Sequence, residues 1–231
     1  SIRTRPAMEL KVGFDAPIYG IFFYKDSMIV HSGTNLYRIK DDEKTVLFSG
    51  TKEAVSDAFV YENVWYFKDG KHYLQYDGTT IKEVEGYVPT TSIARKPAGG
   101  GVIHEDVNML TGRRINTFLA DGSSKVFALD AKNIDKDFKP IVKVDDVVVT
   151  NFTVDYDEGK ITFSSIPSAP LTDGQDNVSV EFRKTVERYR DSILKCTLLQ
   201  MFDNRVFFSG NEDYPNVVWH CSLNDPTYVS D

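Results

Sequence analysis

Met201-Phe202-Asp203-Asn204-Arg205-Val206-Phe207-Phe208-Ser209-Gly210 is the stretch on which the fold turns, because the chain uses its pattern twice before. Phe23-Tyr24-Lys25-Asp26-Ser27-Met28-Ile29-Val30-His31-Ser32-Gly33 is one earlier copy. Val60-Tyr61-Glu62-Asn63-Val64-Trp65-Tyr66-Phe67-Lys68-Asp69-Gly70 is the other. Each has an aromatic, a spacer, Asp or Asn, a second spacer, an apolar run and a glycine. Such a unit reads as strand, tight polar turn, second strand and Gly-assisted second turn, the hairpin chemistry of a small antiparallel sheet. Tyr24 and Tyr61 are 37 residues apart, close to the roughly 40–50 residues of one four-stranded propeller blade. Tyr61 and Phe202 are 141 apart, so a segment is inserted between copies two and three.

Working outward, residues 1–17 (with Arg3, Arg5, Pro6 and Pro17) read as an N-terminal arm. Residues 18–90 read as two propeller-like blades, the first with turns at Lys25-Asp26-Ser27 and Ser32-Gly33-Thr34 and a fourth strand over Lys44–Ser49. Asp69-Gly70 and Asp77-Gly78 mark two-residue hairpin turns in the second blade. Residues 91–101, inside YVPTTSIARKPAGGG, combine proline with three consecutive glycines and read as an exposed linker. Residues 102–185 alternate strands with turns about every 10–15 residues, the pattern of a small β-sandwich. NTFLADGSSKVFALD reads there as a hairpin around Asp121-Gly122-Ser123-Ser124, with further turns at Asp145-Asp146 and Asp157-Glu158-Gly159. Removing about 96 inserted residues leaves a spacing of about 45, one blade. TVERYRDSILKC over 185–196 reads equally as a short helix or an irregular return, and residues 186–231 as the start of a further, truncated blade. The predicted fold class is all-β, with incomplete β-propeller-like blades and an inserted β-sandwich domain.

With 231 residues, 41% apolar and 13% aromatic, the composition suits a globular β-protein. Neither an apolar run of about 18–20 residues nor a charged-then-apolar leader is present, so no membrane partner is expected. The net charge of −7 argues against specific nucleic-acid binding. Cys196 and Cys221 are too few for a disulfide scaffold and read as buried thiols.

Residues that could carry chemistry have plainer readings. His104-Glu105-Asp106 are adjacent, and side chains at i, i+1 and i+2 do not converge on a strand, so a solvated loop is expected. Asp155, Asp157 and Gly159 start like a calcium loop but lack its later ligands and terminal glutamate, so a hairpin turn is expected. His31, His72, His104 and His220 have no metal-ligand spacing. The sequence holds no G-x-S-x-G nucleophile context, no G-x-x-x-x-G-K loop and no sialidase-type S-x-D-x-G-x-T-W box. Asn151-Phe152-Thr153 and Asn177-Val178-Ser179 are formal sequons read as chance. No catalytic, cofactor-binding or metal-binding residue is assigned, and neither enzymatic activity nor a cofactor is expected. Tyr19, Phe22, Phe23, Tyr24, Tyr61, Trp65, Tyr66, Phe67, Tyr73 and Tyr76 crowd the repeats, where packing between blades is the expected role.

GYVPTTSIARKPAGGG, EDVNMLTGRR, LADGSSKVFALD, FTVDYDEGKITFSSIPSAPL and RVFFSGNEDYPNVVWHCSLNDPTYVSD together make the chain resemble structural proteins of tailed phages and prophages of Gram-positive bacteria. These are known as stabilization, tail or head-tail proteins. The most specific part is Phe208-Ser209-Gly210-Asn211 with Tyr214-Pro215-Asn216 and Asn224-Asp225-Pro226-Thr227-Tyr228, which is also similar to repeats in tail-nozzle propellers of short-tailed phages. The resemblance implies a non-enzymatic virion protein assembled in the bacterial cytoplasm. Its partners would be other tail or neck proteins, and it would form a homo-oligomeric ring when full length. It also implies that the chain is the N-terminal portion of a longer protein, which agrees with its start at Ser1. The alternative is a carbohydrate-binding or adhesin module that holds a host-surface glycan on aromatics of the insert.

Overall fold

The structure is a computed structural model that describes residues 10 and 12–231; Arg3, Arg5 and Pro6 of the expected arm lie outside that range. Among the described residues the fold is all-β apart from one short helix, with mostly antiparallel sheets. It divides into two compact units, Ser1–Val84 with Asp191–His220 and Glu85–Arg190 with Cys221–Asp231.

In the first unit, β1 (Ile18–Tyr24), β2 (Ser27–Ser32), β3 (Asn35–Lys40) and β4 (Glu43–Ser49) make a sheet in sequential order. β5 (Asp57–Tyr61), β6 (Val64–Lys68), β7 (Tyr73–Tyr76) and β8 (Ile81–Glu83) make a second. Asp41-Asp42 and Glu62-Asn63 form the tight turns of β3–β4 and β5–β6, with φ of 52° and 62° and of 45° and 63°. These mirror-image turns match the right-handed twist of the strands, and Asp and Asn tolerate the left-handed region better than most residues. The Asp69-Gly70 and Asp77-Gly78 connections are four residues long, not the expected two, since Lys68 pairs with Tyr73 and Tyr76 with Ile81. In each, the aspartate Oδ1 accepts two backbone N–H groups, from Lys71 and His72 (2.8 and 2.6 Å) and from Thr79 and Thr80 (2.7 and 2.8 Å). That side-chain turn holds the longer loop open.

The two sheets meet face to face. Phe22 packs edge-on against Trp65 (5.8 Å) and Phe67 (6.3 Å), and Tyr24 lies 5.6 Å from Tyr76. Ile29, Leu36, Phe67 and Leu74 are wholly buried between them. At roughly 1.5–3 kcal/mol per buried large apolar side chain, this face outweighs any single turn or ion pair in the unit.

The second unit holds β9 (Thr90–Arg95), β10 (Val102–Ile103), β11 (Arg113–Phe118), β12 (Val126–Ala128), β13 (Ile141–Val144), β14 (Val147–Val149), β15 (Phe152–Asp155), β16 (Lys160–Phe163) and β17 (Val178–Arg183). A six-stranded sheet runs β10-β9-β11-β17-β13-β14 and a three-stranded sheet β12-β16-β15. One core joins them: Phe118, Val142, Val178, Val180 and Phe182 from the larger sheet, Phe127, Ile161 and Phe163 from the smaller. Phe127 lies 5.4 Å from Phe118 and 5.0 Å from Phe163. The strict alternation of Val178, Val180 and Phe182 puts all three on one face, as a half-buried strand requires.

Three expectations are corrected here. Residues 91–101 are no linker, because Thr90–Arg95 is β9, paired with β10 and, in parallel, with β11. Gly99, Gly100 and Gly101 (φ 115°, 77° and 95°) make the tight connection from β9 to β10, where a Cβ on Gly101 would stand 2.7 Å from the Ile93 carbonyl oxygen. All three serve a positive φ and Gly101 a close backbone approach as well, rather than a need for flexibility. Asp121-Gly122 does not close a hairpin: Phe118 pairs with Val178 and Val126 with Thr162, so this turn carries the chain from one sheet to the other. The third correction concerns the domain bounds 18–90, 102–185 and 186–231. The second unit begins at Glu85, before the glycines, and also takes Cys221–Asp231. Asn108 binds that last segment, its Nδ2 donating to the carbonyls of Tyr87 and Thr227 (both 2.8 Å) and its Oδ1 accepting from Leu110 and Val229 (3.0 and 3.1 Å).

The 185–196 stretch contains a helix, α1 (Tyr189–Leu194). Then β18 (Leu198–Phe202), β19 (Arg205–Ser209) and β20 (Trp219–His220) form the third sheet of the first unit. The turn at Asp203-Asn204 again has two positive φ values, 48° and 56°. This sheet packs on the face of the second sheet turned away from the first: Phe208 lies edge-on to Tyr73 at 5.5 Å, and Leu199 N donates to Asp57 Oδ2 at 3.2 Å.

Backbone clearance gives a first test. A Cβ on Gly159 (φ +63°) would stand 1.9 Å from the Ala131 carbonyl oxygen, whereas Gly174 (φ +77°) faces open space. In urea unfolding, Gly159→Ala is expected to cost about 3 kcal/mol or more and Gly174→Ala about 1 kcal/mol. Equal losses would refute the close approach at Gly159.

Candidate functional site

The repeat that builds the first unit also defines which faces of its sheets are used. The first sheet projects Phe22, Tyr24 and Ile29 toward the second, which receives them with Trp65, Phe67 and Tyr76. At the matching repeat positions the second sheet carries Phe59, Tyr61 and Tyr66. Phe59 stacks on Tyr66 at 4.9 Å, and Tyr66 lies 5.9 Å from Tyr73, the ring that meets the third sheet. The third sheet receives with Val206 and Phe208, counterparts of Trp65 and Phe67 and likewise buried. Each internal interface therefore has a projecting and a receiving side.

The two sides left over are the end faces. On the third sheet, Gln200, Phe202 and Phe207 hold the projecting positions, and Phe202 (71%) and Leu198 (61%) are exposed. On the first sheet, Met28, Val30 and Ile39 hold the receiving positions; Val30 and Ile39 are already buried, and the exposed apolar residues of that face are Ile21, Phe23 (76%) and Val46 (58%). Phe14 lies on Tyr37 at 5.4 Å and covers part of this face.

The second unit has a polar cleft of about 640 Å³, lined among others by Thr91, Ser92, Arg95, Glu105, Arg114 and Asp130. Arg95 turns its donors to Ser92 Oγ (3.0 Å), Gly100 O (2.6 Å) and Ala128 O (2.9 Å), and Arg114 Nη2 donates to Lys184 O (3.1 Å). Thr91 Oγ1 donates to Asp130 Oδ2 (2.6 Å), while Asn116 Nδ2 donates to Thr91 Oγ1 (3.1 Å) and its Oδ1 accepts from Asp130 N (2.8 Å). Burial pushes both guanidinium values down, and the Asp130 carboxylate beside them pulls the other way; arginine stays charged through such shifts. Guanidinium, carboxylate and hydroxyl groups together suit hydrogen bonding to a polyhydroxylated ligand.

The sequence candidates disperse. Glu105 and Asp106 line this cleft, Glu105 accepting from Tyr87 Oη (3.1 Å) and Thr90 N, whereas His104 is exposed and outside the lining. Asp155 caps its own hairpin through Glu158 N (3.0 Å) and Asp157 pairs with Lys136 (2.9 Å), so the run is a turn. His72 Nδ1 meets Asp69 Oδ2 at 3.0 Å, and His220 lies beside Arg205. His31 is wholly buried, with Nδ1 2.9 Å from Ser56 Oγ and Nε2 3.0 Å from Thr51 Oγ1. Cys196 and Cys221 are buried and free, and burial pushes the Cys196 thiol up to about 11. Arg95, Arg114, Asn116 and Asp130 were not singled out by sequence. The signal was there for two of them: Arg114, Asn116 and Phe118 alternate on β11, so the polar pair occupies inward positions.

Among the described residues, no group of three or more His, Cys, Asp or Glu is placed to hold a metal ion, and no helix is long and apolar enough to cross a membrane. No protein-family model, curated protein or solved structure matches the chain significantly.

The His31 site predicts a pH dependence. Burial pushes its imidazole below the ordinary histidine value, with Asp69 pulling it up. The unfolded chain therefore takes up a proton near pH 6.5 that the folded chain refuses, so stability is full above that pH and falls as pH drops through it. Burial raises the Asp69 carboxyl, but hydrogen bonds from the His72 ring and from the Lys52, His72 and Lys71 N–H groups hold it below its ordinary value. Its contribution is lost only at lower pH, below about 4. The urea midpoint is expected to fall from pH 8 to pH 5, and to fall less in His31→Asn. A wild-type midpoint flat across this range would contradict the assignment.

Proposed function

We propose that the chain is a non-enzymatic structural protein of a tailed-phage virion, a subunit of a tail or neck ring. In this reading its three stacked sheets are incomplete propeller-like blades and its second unit is an inserted β-sandwich. The observation that carries it is the pair of exposed apolar patches at the two ends, Leu198 with Phe202 and Ile21 with Phe23, on a unit whose internal faces bury Tyr24, Trp65, Phe67, Tyr73 and Phe208. Single exposed apolar residues are ordinary, but patches at both ends of a repeating stack mark surfaces made for neighbours. The resemblance of Phe208-Ser209-Gly210-Asn211 and Asn224-Asp225-Pro226-Thr227-Tyr228 to phage tail proteins supplies the setting. A net charge of −7 suits a conduit that does not grip the DNA passing through it. Immunogold labelling of particles with antibody to this chain is expected to mark the neck or tail. Label confined to the capsid shell, or no label on particles, would reject the proposal.

The polar cleft favours a second reading, a module that holds host-surface glycan between Arg95, Arg114 and Asp130. A glycan array probed with the whole chain tests it. Binding weakened about tenfold in Asp130→Asn is the expected result under that reading, and no binding by the wild type would remove it.

A further inference from the structure

We infer that the polar cleft of the second unit is a site for a uronic acid sugar, with the Arg114 guanidinium taking the sugar's carboxylate and Asp130 accepting from its hydroxyls. The inference rests on the reading of this cleft as a glycan site and names the class of sugar it selects.

Arg114 is a buried cation without a counter-charge. It lines the cleft and is 8% exposed. Its Nη2 donates to Lys184 O at 3.1 Å, and among the described residues it makes no other hydrogen bond and no ion pair. A guanidinium carries five N–H donors, so four are left over, and the one on Nε is enclosed with no partner. Buried charges are otherwise paired, because an unpaired one has given up its hydration for nothing. Arg95, buried in the same lining, is differently placed: Nη1 donates to Ser92 Oγ and Gly100 O, and Nη2 to Ala128 O. One open guanidinium matches one negative charge, and its planar fork fits a carboxylate through two parallel hydrogen bonds. A doubly charged phosphate would find half of its charge unmet. The carboxylates of the lining are engaged with other donors: Asp130 accepts from Thr91 Oγ1 (2.6 Å), Glu105 from Tyr87 Oη (3.1 Å), and Asp231 from Tyr189 Oη. Asp106 and Asp130 are exposed, so water and salt screen their repulsion of an anion, whereas the enclosed guanidinium is screened far less. The lone pairs still free on Asp130 accept hydroxyl groups. A ligand that meets both demands carries one carboxylate and several hydroxyls on a small frame, which is the constitution of a uronic acid. The cleft volume of about 640 Å³ falls within the roughly 300–1,000 Å³ of small-molecule sites.

Nuclear magnetic resonance titration of the 231-residue chain at pH 7 and constant ionic strength tests this. The probes are methyl glucuronide and methyl galacturonide, the neutral methyl glucoside and galactoside that differ from them only at the acid carbon, and sodium acetate. At least one uronide is expected to bind about tenfold more tightly than its neutral counterpart and than acetate, and to move the Hε resonance of Arg114 with the amides of Thr91 and Asp130. In Arg114→Gln the ratio of acid to neutral affinity is expected to fall to about one. If that variant fails to fold by circular dichroism, the Hε resonance of the wild type decides alone. The inference is overturned if neither uronide binds up to about 100 mM, a span that reaches well past the millimolar range of weak ligands. It is overturned equally by a neutral sugar or acetate that binds as tightly as the uronides, by an unmoved Arg114 resonance, or by a preference that survives in Arg114→Gln. Neutral glycans bound on the array without preference for the acid would overturn this inference and leave the glycan module standing, so the two fail separately. Neither result bears on where gold label falls on the particle.

Discussion

A β-strand sends alternate side chains to opposite faces, and in this chain the strands of the first unit carry large apolar groups on both. Trp65 and Phe67 leave β6 on one side, Tyr66 on the other. A four-stranded sheet of that composition cannot bury itself, whatever the quality of its turns. Everything else in the unit follows from the need for a neighbour on each side. The second sheet is sandwiched between two others and satisfies both faces, while the third satisfies one and the first leaves Ile21, Phe23 and Val46 exposed on its outer face beside buried Val30 and Ile39.

Polar groups caught between these sheets are handled by local hydrogen bonds rather than by exposure. Asp69 is completely enclosed yet accepts from the Lys71 and His72 N–H groups and the His72 ring of its own turn and from Lys52 N of the segment between β4 and β5. Lys68 is equally enclosed, and its Nζ donates to the Leu194 carbonyl. In the second unit Asn116 is likewise wholly buried, its Nδ2 donating to Thr91 Oγ1 and its Oδ1 accepting from Asp130 N. A buried polar group left unpaired costs about 1–3 kcal/mol, so these networks tie each face to one particular neighbour more strictly than apolar contact does.

The hairpins of the three repeats were legible in the sequence because their turns are chemical statements: Asn63 and Asn204 occupy left-handed positions that few residues accept. The strand content was legible for the same reason. Sheet membership was not. Asp121-Gly122 looks like a hairpin turn, but a turn fixes only a local reversal, and the pairing of Phe118 with Val178 is decided by residues 60 positions away. Gly99-Gly100-Gly101 was misread because a glycine run signals either freedom or crowding, and only the Ile93 carbonyl and the Arg95 side chain beside Gly101 tell which. Arg114 and Asn116 could have been read as inward from the alternation ending in Phe118. Arg95 could not, since its burial depends on Ala128 and Gly100 reaching it from other segments.

The third sheet follows the second in space but lies far along the chain, with Phe208 closing over Tyr73 only after Glu85–Arg190 of the second unit has been made. On the ribosome, synthesis at roughly 5–20 residues per second leaves an interval of about 7–27 seconds between the appearance of these two rings. During that interval the nascent second sheet has Tyr66, Tyr73 and the amine of Lys68 uncovered, next to the unpaired edge of β5. The segment that interrupts the repeat is thus also a timer. It sets how long an aromatic surface stands uncovered, and with that how strongly the emerging chain draws on chaperones before its third sheet arrives.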